Sequence, residues 1–334
     1  MGDTTKDLWV FIETRSDGTP RNVGLELLNP GKDLAKEQGG KLVGIVIAED
    51  ATLAAKAAGE RGADEIIAIE GPEFKDYSTD AYTAAFVHLV EKYKPLSIMV
   101  GATNNGRDLA PRVSGRVGTG LTADCTELSI DEQTGCIAWT RPAFGGNLMA
   151  VIFCANHTPQ MGTVRPGVFK MPTVVDNNAK VIKEDFSFAK EKIRTRIVET
   201  IIEAGEKVDL ENADIIVTGG RGLGEAAGFD AIREFAAAIG AEVGATRATV
   251  EEGWISYAHQ VGQTGKAVSP RVYIACGVSG ATQHVAGMSS SETIIAINKD
   301  PNAMIFQIAD YGIVGDLFEV LPILKEELVK VIKA

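Results

Sequence analysis

Short apolar runs alternating with stretches of helical period set the texture of the first hundred residues. The runs Leu8 to Ile12, Leu42 to Ile47, Glu65 to Ile69 and Leu96 to Val100 are rich in β-branched residues and lack polar alternation. Such runs are expected to form strands buried on both faces. Between them lie helical stretches at roughly 23–38, 51–62 and 79–93, the last with Ala84, Val87, His88 and Val90 on one face. Strands and helices in alternation, with short connections, predict a parallel sheet covered on both sides.

From about Thr122 to Phe169 the helical period fades. Trp139, Phe144, the pair Gly145-Gly146, the run Val151-Ile152-Phe153 and Pro166-Gly167 predict antiparallel strands joined by turns. A polar, Lys- and Glu-rich segment over roughly 177–212 follows and is expected to contain a domain boundary. The α/β pattern then restarts, with strands expected at 214–218, 272–276, 293–297 and 305–308 and helices at about 226–239, 280–287 and from 316 onward. The expected fold class is therefore α/β in two domains, over 1–205 and 206–334. No short-period repeat points to a solenoid.

With 334 residues and 45% hydrophobic positions, the chain suffices for two full-sized cores without disulfide or metal staples. A net charge of −12 argues against nucleic acid and against an anionic membrane surface, both of which ask for basic patches. Apolar runs stop short of the roughly 20 residues a membrane helix needs, so no membrane insertion is expected. The N-terminus shows no basic region backed by an apolar run, and Lys6 stands where a myristoylation signal wants Ser or Thr. Cys125, Cys136, Cys154 and Cys276 are scattered, which fits reduced thiols in a cytoplasmic protein and supports no metal site.

Candidate chemistry gathers at the strand ends of the second domain, where open parallel sheets bind ligands. After the first strand comes Gly219-Gly220-Arg221-Gly222-Leu223-Gly224, whose glycines let backbone approach a pyrophosphate. It is not the dinucleotide fingerprint, because Glu225 takes the third glycine position; an ordinary tight turn explains it equally well. Ser279-Gly280-Ala281-Thr282-Gln283-His284 leads small residues into a helix N-terminus suited to a diphosphate, with Ser279 also readable as a plain cap. Gln260-Val261-Gly262-Gln263-Thr264-Gly265-Lys266 offers amides and a hydroxyl for the edge of a heteroaromatic ring, or is a surface loop. Thr246-Arg247 ends another strand. Asn298 and Asp316 are candidates for hydrogen bonds to an adenosine, Asp316 alternatively a helix cap. These loops together imply a large nucleotide-containing cofactor, and no catalytic triad or carboxylate pair competes with them.

The stretch from Gly219 to about Leu321 closely resembles the FAD-binding domain of electron-transfer flavoprotein α subunits. The resemblance rests on the loops just quoted, on Ile297-Asn298-Lys299-Asp300-Pro301 and on Asp310-Tyr311-Gly312-Ile313-Val314-Gly315-Asp316-Leu317-Phe318. It extends to the first domain through Gly106-Arg107-Asp108-Leu109-Ala110-Pro111-Arg112 and Thr163-Val164-Arg165-Pro166-Gly167. It implies a nucleotide-hydrolase-like N-terminal domain with an antiparallel extension, and a doubly wound C-terminal domain holding one FAD.

The resemblance also implies roles. Arg221 would contact the diphosphate region, Thr246 and Arg247 would lie beside the isoalloxazine ring, and Thr264 would reach the N5/O4 side with Val261, Gly262 and Gln263 lining the same loop. Ser279, Gly280, Ala281, Thr282, Gln283 and His284 would wrap the diphosphate and ring, His284 near O2. Asn298, Asp316 and Leu317 would contact the adenosine half. Because one-electron transfer asks for a stabilised flavin radical, His284 or Arg247 is expected to supply a positive group. Implied partners are a β subunit, an acyl-CoA dehydrogenase or similar flavoenzyme and, in an electron-bifurcating variant fed by NADH, ferredoxin. A non-redox nucleotide-binding regulator stays open as an alternative function; an NAD-dependent dehydrogenase is disfavoured by Glu225 and by the lack of a general acid.

Overall fold

The computed structural model describes residues 4–143, 148–175, 179–195, 197–198, 208–211 and 213–332. They fall into two compact units, the described residues up to 198 in one and those from 208 onward in the other. The expected boundary at 205/206, Phe144 and the Gly145-Gly146 pair lie outside the described residues.

The first unit runs β1 (Leu8–Phe11), α1 (Asn22–Glu26), α2 (Leu28–Gln38), β2 (Leu42–Ala48), α3 (Thr52–Gly59), β3 (Glu65–Glu70), α4 (Thr79–Tyr93), β4 (Ser97–Gly101) and α5 (Asn104–Val117). It continues with β5 (Leu121–Cys125), β6 (Glu127–Ile130), β7 (Ile137–Ala143), β8 (Leu148–Ile152), β9 (Gln160–Val164) and β10 (Lys180–Glu184). Seven strands form a parallel sheet in the order β10-β3-β2-β1-β4-β9-β5, while β6-β7-β8 form a separate antiparallel sheet. Leu8, Val10 and Ile12 pack on one face of the large sheet and Trp9 and Phe11 on the other, which is why no polar alternation marks β1.

Four expectations are corrected here. The helix expected at 23–38 is interrupted at Leu27. On α4 the buried face is Ala81, Tyr82, Ala85, Phe86 and Leu89 together with the expected Val90, because the two aromatic rings carry more apolar area to the sheet than Ala84 and Val87 would; His88 lies against the Phe186 ring instead. Within the region expected to be antiparallel, β5 and β9 join the large sheet in parallel. The polar segment contributes β10, a charged strand at the edge of that sheet.

Both conspicuous motifs of the first unit serve its packing. Arg165 is buried and holds Asp124 through Nε and Nη2 at 3.3 and 2.8 Å, with Arg107 on the same carboxylate at 3.4 Å. Asp108 accepts from Tyr77 and Thr79, and Arg112 pairs with Asp80 at 3.0 Å.

The second unit runs β11 (Ile215–Gly219), α6 (Gly228–Ile239), β12 (Glu242–Ala245), α7 (Arg247–Glu251), β13 (Val272–Cys276), α8 (Thr282–Val285), β14 (Thr293–Asn298), β15 (Tyr311–Val314) and α9 (Leu317–Ile332). Its strands are all parallel, in the order β12-β11-β13-β14-β15. Helix α6 lays Phe229, Ile232, Phe235, Ala236 and Ile239 against the sheet and stops at Gly240, whose φ of +69° suits a left-handed cap. Two expectations fail. Residues 305–308 belong largely to a 3-10 turn, Met304–Gln307, and the fifth strand is β15. The helix expected over 280–287 is the single turn α8.

Candidate functional site

In a doubly wound sheet of order 2-1-3-4-5 the helices on either side of the first and third strands diverge, leaving a crevice beyond their carboxyl ends. Here those strands are β11 and β13. A cleft of about 700 Å³ opens at that place, within the range of about 300–1,000 Å³ usual for cofactor sites.

Glycines make the floor. Gly220 N–H donates to Cys276 O and Gly222 N–H to Gly277 O, both at 2.9 Å, so two loops cross backbone on backbone. A Cβ on Gly220 would stand 2.4 Å from Gly277 O, and one on Gly222 2.6 Å from Gly277 Cα. Side chains cannot enter this crossing, which leaves backbone as the surface offered to a ligand. The corresponding crevice of the first unit, between β1 and β4, is filled by its own chain. Glu13 is buried there and accepts from Thr103 Oγ1 and Asn105 Nδ2 at 2.5 and 2.8 Å, beside Arg21 at 2.9 Å.

Most of the residues singled out in sequence line the C-terminal cleft: Arg221, Thr246, Arg247, Val261 to Thr264, Ser279, Ala281, Gln283, His284 and Asn298. Gly280, Thr282, Asp316 and Leu317 do not. Gly280 turns the chain with φ +86° against Ile305, and Thr282 opens α8. Asp316 caps α9 by accepting the Phe318 N–H at 2.9 Å, while Leu317 is buried in the core beneath. Asn298 is committed at both ends of its amide, to Val278 O at 2.9 Å and from Asp300 N–H at 3.0 Å, so it braces the loop while lining it.

The loop from Gln260 to Lys266 is built by its own backbone. Lys266 N–H donates to Gln260 O, Gly265 N–H to Gly262 O, and Val261 N–H to Ala245 O at the end of β12. Gln263 N–H donates to Gln283 O, which ties this loop to α8. Gln260, Glu251, Asp300 and Met304 line the cleft without having been singled out as site residues. Gln260 is one of the two amides that the sequence places on the 260–266 loop, and Met304 reaches the cleft because the 3-10 turn replaces the expected strand.

His284 is buried, with Nδ1 3.0 Å from Val261 O and Nε2 3.0 Å from Tyr273 Oη. A carbonyl only accepts, so Nδ1 carries the proton; Nε2 is then the lone-pair nitrogen receiving the Tyr273 hydroxyl. Burial drives the imidazole pKa down to about 4, the hydrogen bond to Val261 opposing it. The expectation that His284 offers a positive group is corrected: the ring is neutral at pH 7. Arg247 and Arg221 remain as cations, each near an acid, Arg247 Nε 2.8 Å from Glu251 and Arg221 Nη1 4.0 Å from Glu252.

A pH prediction follows with a definite sign. The folded pKa lies below the unfolded value of about 6.5, so the unfolded chain takes the proton first as pH falls. This group therefore contributes up to about 3 kcal/mol of stability at neutral pH, lost progressively from about pH 6.5 towards pH 4. In ¹⁵N NMR, His284 is expected to stay neutral and Nδ1-protonated between pH 8 and pH 5.5; a midpoint near 6.5 would contradict the assignment.

The residues fit a flavin nucleotide. Among the described residues Thr246 Oγ1 is buried at the cleft without a hydrogen-bond partner, which leaves its hydroxyl for a ligand atom, and the glycine crossing suits a diphosphate. Among the described residues no group of His, Cys, Asp and Glu could hold a metal ion, and no helix is long and apolar enough to cross a membrane.

Comparison with known proteins agrees with this geometry. Residues 8–189 match the electron transfer flavoprotein domain, and residues 209–289 the electron transfer flavoprotein FAD-binding domain. The electron transfer flavoprotein subunit alpha of Thermoanaerobacterium thermosaccharolyticum is 52% identical, over 97% of this chain and 98% of its own. Protein FixB of Clostridium saccharobutylicum is 47% identical over 98% of both chains. The acryloyl-CoA reductase electron transfer subunit beta of Anaerotignum propionicum is 44% identical over 96% of this chain and 94% of its own. A parallel-sheet unit joined to a five-stranded unit with a glycine-floored cleft, matched along nearly the whole sequence, places this chain in the electron transfer flavoprotein family, with the α subunits and their FAD-binding domain.

Proposed function

We propose that this chain holds one FAD in the C-terminal cleft and, as the α subunit of an αβ heterodimer, shuttles electrons between dehydrogenases. The observation that carries the reading is the placement of the cleft at the β11/β13 crossover, lined by loops that bind and orient but supply no acid–base pair. FAD, when bound, supplies one-electron chemistry at its isoalloxazine ring. The chain's own residues bind and orient it. Gly220, Gly222 and Gly277 bring backbone to the diphosphate, with Arg221 beside it. Thr246 and Arg247 flank the ring, and Arg247 supplies the positive charge that neutral His284 does not. Thr264 and the Ser279–His284 turn meet the ring edge, and Asn298 stands at the adenosine end.

The acyl-CoA chemistry named for the Anaerotignum relative supports an acyl-CoA dehydrogenase or similar flavoenzyme as redox partner. The same relative favours a second reading, bifurcation of NADH electrons between ferredoxin and that flavoenzyme. Co-purification with the β subunit separates the two readings through the released flavin counted per heterodimer. One FAD accompanied by AMP is expected for a simple carrier, and two FADs for the bifurcating form. A colourless heterodimer, purified under conditions that retain flavin, would overturn both.

A further inference from the structure

Thr264 presents its hydroxyl to the cleft, and the direction in which that hydroxyl points is set from behind. Gln260, only 4% exposed, donates from Nε2 to Thr264 Oγ1 at 3.1 Å. Its backbone is held at both ends, with N–H to Tyr257 O at 2.9 Å and C=O from Lys266 N–H at 2.8 Å. Tyr257 O–H clamps the next polar atom along, donating to Thr264 O at 2.6 Å. Thr264 Oγ1 therefore already accepts, and among the described residues nothing accepts its hydrogen. That hydrogen is left for the cleft.

We propose that Gln260 is a positioning residue that commits the Thr264 hydroxyl to donate, so that the ring edge lying against it must present a lone pair. This rests on the flavin reading above and sharpens it into a selection rule. Oxidised flavin presents the N5 lone pair at the edge assigned to Thr264. An analogue with C–H at that position would leave a committed donor facing a hydrogen. A carboxylate at 260 would reverse the polarity: it can only accept, so Thr264 would donate backwards and turn its own lone pair to the ring.

The test uses the full chain in complex with its β subunit, stripped of flavin and titrated with FAD and with 5-deaza-FAD, which carries C–H in place of N5. The native complex is expected to prefer FAD by about tenfold, the discrimination of one good hydrogen bond. In Gln260→Glu the preference is expected to fall to near unity. In Gln260→Met, where the hydroxyl turns freely, it should lie between the two. Thermal midpoints measured alongside separate loss of folding from loss of selectivity, since a merely structural role weakens both ligands equally. An unchanged tenfold preference in both variants, or none in the native complex, overturns the role of Gln260 while leaving the flavin site standing. A native complex that takes up neither flavin overturns the flavin reading itself.

Discussion

Gly277→Val is expected to abolish flavin retention and to destabilise the C-terminal unit by on the order of 3–5 kcal/mol. Two costs combine. Gly277 has φ +63°, a left-handed conformation that a β-branched residue adopts only under strain. Its Cβ would also stand 2.8 Å from Gly222 Cα, so the backbone crossing that floors the cleft must spread. Spreading it breaks the Gly222 N–H bond to Gly277 O and moves the loops after β11 and β13 apart. Thermal unfolding and the flavin-to-protein absorbance ratio of the purified heterodimer read the two effects. Native-like values for both would show that the crossing does not shape the site. Gly224→Ala serves as a control, because Gly224 has positive φ but nothing within 4 Å of an added Cβ.

Arg165→Met is expected to cost the N-terminal unit about 2–3 kcal/mol while leaving flavin affinity unchanged. The Arg165 side chain is 5% exposed and its partner Asp124 27% exposed, so the cost falls below that of breaking a fully buried pair. Burial pushes the Asp124 carboxyl up, but the Arg165 hydrogen bond and charge, with Arg107 behind them, hold it below the usual carboxylate range. The folded value is thus the lower one. The pair's stabilisation is complete above the unfolded pKa of about 3.9 and is lost as pH falls through the folded value. Denaturant midpoints of native and variant protein should differ most at neutral pH and converge in acid. An equal gap at pH 7 and pH 3 would show that the arginine acts by packing alone.

Much of this architecture is legible in the sequence because fully buried parallel strands have few ways to be written. Leu8 to Phe11 and Val272 to Cys276 are apolar on both faces and bounded by turns, and both are strands. The failures have physical causes. Ile305 to Ile308 looks like a strand, but Ile305 N–H donates to Ser279 O at 3.1 Å, and the segment is folded over the loop after β13. Its place in the sheet goes to Tyr311 to Val314, an edge strand whose exposed Tyr311 and Val314 give a weaker apolar signal. Lys180 to Glu184 reads as linker because edge strands carry charge against unwanted pairing, and β10 is such an edge.

The cleft is legible only from loops that are each ordinary in sequence, since glycines and small polar residues at successive strand ends converge only on folding. The state of its groups was not readable in the same way. His284 is neutral because folding buries it, against the pull of its hydrogen bond to Val261 O, and Val261 O and Tyr273 Oη, 23 and 11 positions away, take up its two nitrogens. Asn298 is turned inward by Val278 O, and Asp316 is taken up in capping α9. Sequence spacing identifies which side chains stand near a ligand; the hydrogen bonds already made by each one decide what it still has to offer.

Hydrogen exchange of the flavin-stripped heterodimer, with and without added FAD, is the most direct measurement of where the cofactor lies. Protection is expected at 219–224, 246–248, 260–266 and 277–285, the strand ends that meet at the β11/β13 crossover. Protection confined instead to the loops around Glu13 and Thr103 would place the ligand on the other sheet and contradict the assignment.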